Sequence, residues 1–165
     1  MRVALILPLL SVLSACAGDH PDNVPQYGQW EVVNRIDSLT IDGIVIPPEQ
    51  VPAELTSFNE SSGFCGEPMF IESDWQQEDL ARRTRGQCAM ESYTFDAASA
   101  EGTGRCTVDD TDQPWSPKFT LRSKFDGQSF RKVVTLDGSI VLAKDNSPHT
   151  IRVIGIQEGA RSGEC

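Results

Sequence analysis

The sequence predicts a mainly β domain, an antiparallel meander forming a curved sheet or partly closed barrel, with one short helix and two disulfides. Three observations carry this. Apolar and polar residues alternate with period two, most cleanly at Phe119, Leu121 and Phe125 against Lys118, Thr120, Arg122 and Lys124. Asp126-Gly127 and Asp137-Gly138 each sit between such runs, and Asp-Gly supplies the positive backbone angles that two-residue hairpin turns need. Of five cysteines, four remain once Cys16 is set aside for the reason below, and an even number in a small exported chain reads as a disulfide framework.

Arg2, the apolar run Val3 to Val12 and the tetrad Leu13-Ser14-Ala15-Cys16 form the start of the chain. A positive start, a short apolar stretch and small residues at the cleavage point describe a secretory signal, too short to span a bilayer. The tetrad resembles the lipobox that ends bacterial lipoprotein signals. The resemblance implies removal of residues 1–15 and acylation of Cys16, which anchors the chain to the lipid bilayer with more than one acyl chain. The expected location is the bacterial envelope facing the periplasm. Ala17, rather than Asp, follows Cys16 and favours the outer membrane over the inner.

Residues 16–27 are polar and carry Pro21 and Pro25, the composition of a lipidated tether. A single β-rich domain is expected over 28–165, about the size of one hydrophobic core. Its first strand begins at Gly28, with Trp30, Val32 and Ile36 alternating against Glu31 and Arg35. Either Asp37-Ser38 or Asp42-Gly43 then reverses the chain. Pro47 to Gln50 opens one helical turn. Asp74 is placed to cap a helix over Trp75 to Arg83, where Glu78 and Asp79 precede Arg82 and Arg83 at helical spacing.

Gly104, Cys106 and Val108 alternate with Arg105, Thr107 and Asp109 in a further strand. Residues 118–125, 128–136 and 139–143 are expected as a three-strand meander, with Thr150 to Ile156 as the last strand. A tight Asp126-Gly127 hairpin sets Arg122 opposite Arg131. Segments joined by Asp96 to Glu101 place Cys88 opposite Cys106, within disulfide reach. That pairing leaves Cys65 with Cys165.

Composition limits the partners. Without residues 1–15 the chain has 13 Lys and Arg against 24 Asp and Glu, a net charge of −11, which repels nucleic acid. The cysteines are dispersed and the histidines after the signal are His20 and His149, so no metal and no cofactor are expected. Asp109, Asp110 and Asp112 form the densest acidic cluster and lack the spacing of a calcium loop. His149 follows Ser147-Pro148 and reads as a solvated loop histidine; no G-x-S-x-G occurs. Arg82, Arg83 and Arg85 read as the dipole-favoured end of a helix. Trp30 is expected in the core and Trp115 partly exposed.

The ordered set Gly28-x-Trp30-Glu31-Val32, Cys65, Cys88 with Cys106, and Gly159-x-Arg161-x-Gly163-x-Cys165 is similar to a family of small exported bacterial proteins catalogued as domain of unknown function 3617. The resemblance implies an exported β-rich domain, often membrane-anchored, whose glycines and cysteines are framework, and it brings no activity with it. A non-enzymatic interaction module binding another envelope protein is the function expected from sequence. The alternative is a lipocalin-like carrier of a small apolar ligand, followed by an envelope hydrolase.

Overall fold

The structure is a computed structural model and describes residues 20, 22–51, 59–107, 115–141 and 146–165. Cys16, Asp109, Asp110, Asp112 and Val108 lie outside the described residues. The strands are β1 (Gly28–Ile41), β2 (Ile44–Val45), β3 (Glu60–Gly66), β4 (Cys88–Phe95), β5 (Ser99–Cys106), β6 (Lys118–Phe125), β7 (Ser129–Val141) and β8 (Pro148–Gly163). Among the described residues one α-helix, α1 (Ser73–Arg83), joins β3 to β4, and Pro48–Gln50 make a single 3-10 turn.

All the pairings are antiparallel, in the order β2-β1-β8-β7-β6-β5-β4, with β3 also on β1. The sheet curves but does not close into a barrel, because β4 at one edge and β2 and β3 at the other stay unpaired to each other. Residues 67–87, which hold α1, run from one edge to the other. The helix packs on the β4 edge.

Both disulfides form as the sequence predicts. Cys88 and Cys106 face each other across β4 and β5. Cys65 joins Cys165 with their Cα atoms 5.7 Å apart, tying β3 to the chain end over the start of β1. Gly28 lies beneath this crossing, where a Cβ would collide with the Arg161 guanidinium and the Gly163 carbonyl. Gly159 is needed for a similar reason, since a Cβ there would enter the Phe130 ring. Gly163 has open space around it, so packing does not require that glycine.

Several boundaries differ from expectation. Asp137-Gly138 is not a turn; β7 runs through it to Val141 and pairs with β8 throughout. Gly138 serves packing instead, because the Trp115 indole and Pro117 lie where its side chain would be, and Asp137 bonds Arg152 across the sheet at 2.6 Å. Asp42-Gly43 is the reversal between β1 and β2, with both residues at positive φ, while β1 passes Asp37 with only a shift in register. In α1 the N-cap is Glu72 with no side-chain cap, and Asp74 lies in the first turn.

The β6–β7 connection is three residues, Asp126 to Gln128, not two. Asp126 Oδ1 accepts the amides of Gln128 and Ser129 at 2.8 and 2.7 Å, and Oδ2 accepts the Ser129 hydroxyl at 3.0 Å. Register moves accordingly, so Arg122 faces Val133 and Lys124 faces Arg131. Asp96 with Ala98 and Ser99 repeats this Asp-x-x-Ser turn between β4 and β5. The amide bonds, led by that from Ala98 or Gln128, hold both carboxyls below their ordinary range. A depressed folded pKa adds stability above the unfolded value near 3.8, and that stability is lost as pH falls through the folded value. Asp96→Asn with Asp126→Asn is therefore expected to flatten the acid limb of the stability profile below about pH 4, measured by urea unfolding at stepped pH.

The core gathers Trp30, Val32, Phe70, Ala100, Phe125 and Phe130 at one end of the concave face. Phe70 stacks on Phe125 at 4.4 Å between ring centres and meets Phe130 edge-on at 5.5 Å. Residues expected in the tether pack here as well. Pro25 is fully buried, Val24 lies against the core, and Asn23 donates to the Pro25 and Pro68 carbonyls while accepting the Phe70 amide.

Candidate functional site

Alternation decides what the concave face carries. On β6 the inward positions are Phe119, Leu121, Ser123 and Phe125, and all four are buried. The β7 positions paired with them are Leu136, Val134, Lys132 and Phe130. Aromatic side chains fill one end of this face. Over the other end α1 lies against the β4 edge, where the Gln77 side chain accepts the Met90 amide at 2.8 Å. Between helix and sheet a cavity of about 510 Å³ remains, open at one side. Leu121, Val134, Leu136 and Val153 of the sheet line it, with Met90 and the helix residue Leu80. Its size falls within the range of pockets that hold one small organic ligand.

Polar groups frame this surface. Asp79 of α1 is buried at 8 % exposure, and both its oxygens are taken, one by Arg82 and the other by Arg83 at 2.7 Å. Arg35 at the rim is paired with Glu158 at 2.5 Å, which raises the guanidinium pKa and holds the Glu158 carboxyl below its usual range. Glu60 at the same rim meets the Asn34 amide at 3.4 Å. Lys132 differs from these cations. Its ammonium sits over the Phe70 ring, 5.6 Å from the centroid, and among the described residues makes no ion pair or hydrogen bond. Burial lowers its pKa to about 8, against the raising effect of Asp79, while Arg83 lowers it further.

The other candidate residues sit elsewhere. His149 is half-buried rather than a solvated loop residue: it lies in β8, with Nδ1 2.6 Å from Asp42 Oδ2 and Nε2 3.1 Å from the Ser147 hydroxyl. Serine, histidine and carboxylate thus form a hydrogen-bonded chain in the order a nucleophilic triad requires. The same Asp42 accepts the Thr150 amide and hydroxyl, and its own amide donates to the Thr150 carbonyl, so the group also clips the β1–β2 turn to β8. These bonds, led by that from His149, lower the Asp42 pKa. None of the three lines the apolar cavity or a second hollow of about 440 Å³ beside His20, Glu72 and Asp96.

Arg82 and Arg83 are engaged at the helix end, and Arg85 follows it at positive φ. Trp30 is fully buried, Trp75 exposed and Trp115 half-buried. Among the described residues no group of three or more His, Cys, Asp or Glu is placed to hold a metal, and no helix is long and apolar enough to cross a membrane. Sequence reasoning passed over Lys132 and Ser123. The available signal was their parity, since each interrupts the inward apolar series of its strand. No family model, curated protein or solved structure matches the chain, and the resemblance to domain of unknown function 3617 rests on the sequence motifs.

Proposed function

We propose that this domain is a carrier that holds a small apolar ligand on its concave face, working in the bacterial envelope from an acylated Cys16 and facing the periplasm, with the outer membrane favoured. The observation that carries the reading is the cavity between α1 and the sheet, apolar along its floor and open to one side. It moves the carrier ahead of the interaction module that the sequence alone favours. That second role retains the exposed Ile44 and Val45 on the edge strand β2 as its support. Two disulfides support an oxidising compartment.

The test is titration with the uncharged fluorescent probe N-phenylnaphthylamine. Saturable one-to-one uptake is expected. Gly155 faces the cavity, and a Cβ there meets the Arg35 carbonyl at an ordinary 3.9 Å, so Gly155→Phe is chosen to place a ring in that space. That substitution should weaken uptake about tenfold or more. An absence of saturable uptake by the folded wild-type protein overturns the reading.

The hydrogen-bonded chain Ser147, His149 and Asp42 supports a hydrolase as a second reading. A serine-directed fluorophosphonate reports on it directly. On the carrier reading Ser147 stays unlabelled; labelling that Ser147→Ala abolishes puts the hydrolase first.

A further inference from the structure

The inward residues of four neighbouring strands fall into rows across the sheet. Ser123 pairs with Lys132, Lys132 with Gln157 and Gln157 with Asn34, so one polar row crosses β6, β7, β8 and β1. The row on one side, Phe125, Phe130, Gly159 and Val32, belongs to the packed core. The row on the other side, Leu121, Val134, Gly155 and Ile36, lines the cavity. A polar line thus separates filled apolar space from open apolar space.

Two members of that line satisfy each other, for the Gln157 amide donates to Asn34 Oδ1 at 2.8 Å. The other two do not. Among the described residues the Lys132 ammonium, set over the Phe70 ring, makes no ion pair or hydrogen bond, and the Ser123 hydroxyl, at 2 % exposure, is buried with no hydrogen-bond partner. Directly paired residues on adjacent strands hold their side chains about 5 Å apart. Leaving an ammonium and a hydroxyl unmatched at such a place is costly unless something else meets them.

We propose that the ligand of this cavity is a monoanionic amphiphile, its carboxylate set against Lys132 and its aliphatic chain lying along Leu121, Val134 and Leu136 toward α1. This rests on the carrier reading and specifies its ligand class. The charge count fixes a single negative charge. Among the described residues the lining holds three cations, Arg35, Arg83 and Lys132, against two carboxylates, Glu60 and Asp79, an excess of one positive charge, and Lys132 is the one of those cations that makes no ion pair. Asp79, also on the wall, pairs with Arg82 and Arg83 and makes no ion pair with Lys132, and its pull on the ammonium is opposed by Arg83. A carboxylate brings one negative charge to the ammonium, whereas a dianion would leave a second charge unpaired beside apolar walls. The lowered Lys132 pKa, about 8, is that of a cation waiting in a poor environment, and it still leaves the group mostly protonated at neutral pH.

The test titrates the intact protein with decanoate and with decanol, each displacing N-phenylnaphthylamine, in the wild type and in Lys132→Met. The expected result is displacement by decanoate at a concentration at least tenfold lower in the wild type than in Lys132→Met, with decanol and the probe itself binding both proteins alike. Equal displacement by decanoate in the two proteins, with the probe still bound, overturns the anionic head and leaves the carrier standing. Failure of the folded wild type to take up probe, decanoate or decanol overturns both.

Discussion

Replacing Cys65 and Cys165 together by alanine is expected to cost about 4 to 5 kcal/mol, the larger of the two disulfide effects. The bond closes a loop of sequence separation 100, against 18 for Cys88–Cys106, and in the chain-entropy view the unfolded state gains more freedom when the longer loop opens, the shorter bond being worth about 3 kcal/mol. Position adds to the difference. Cys88 and Cys106 already face each other on paired strands, whereas β3 pairs with β1 alone and the Cys165 bond is what fastens its last residues to the chain end. A total stability of about 5 to 15 kcal/mol for such a domain makes this loss a large fraction of the whole. Thermal unfolding of the two double variants checks the order, and a lower midpoint for the Cys88/Cys106 pair contradicts it.

Trp30→Ala is expected to cost about 3 to 5 kcal/mol. Trp30 is 0 % exposed, lies 5.7 Å from the Phe130 ring, and donates its indole hydrogen to the Gln26 carbonyl at 3.0 Å. Truncation opens a cavity beneath Phe130 and leaves the carbonyl of a segment that closes the end of the sheet without its donor. With a urea slope of about 2 kcal/mol per molar, the midpoint should fall by about 2 M. A fall below about 0.5 M means that the aromatic cluster has repacked around the gap.

The elements easiest to read in the sequence were those in which one local rule acts alone. Period two places Phe119, Leu121 and Phe125 inward, and the separation of Cys88 from Cys106 fits a hairpin. Misreadings arose where a residue answers to a distant neighbour. Gly138 has the sequence of a turn, yet it is shaped by Trp115, and the last strand runs on past Ile156 through Gly159, which faces the Phe130 ring. Asp126-Gly127 invites a two-residue turn, but the amide and hydroxyl of Ser129, three positions on, capture the aspartate. The clip at His149 joins residues 107 positions apart, beyond any local pattern.

The site was half legible. Lys132 and Ser123 stand out once strand parity is assigned, because each is a polar residue in an inward series. Their significance depends on register, which aligns them with Gln157 and Asn34, and on α1, which leaves the cavity beside them. Neither the register nor the helix position follows from the strands one at a time.

The most direct measurement is native mass spectrometry of the protein extracted gently from its own membrane, compared with Gly155→Phe prepared in the same way. The carrier account predicts a wild-type chain with both disulfides intact that retains a small molecule in one-to-one ratio, and a Gly155→Phe chain that does not. A folded, oxidised wild-type chain that is as empty as the variant contradicts it.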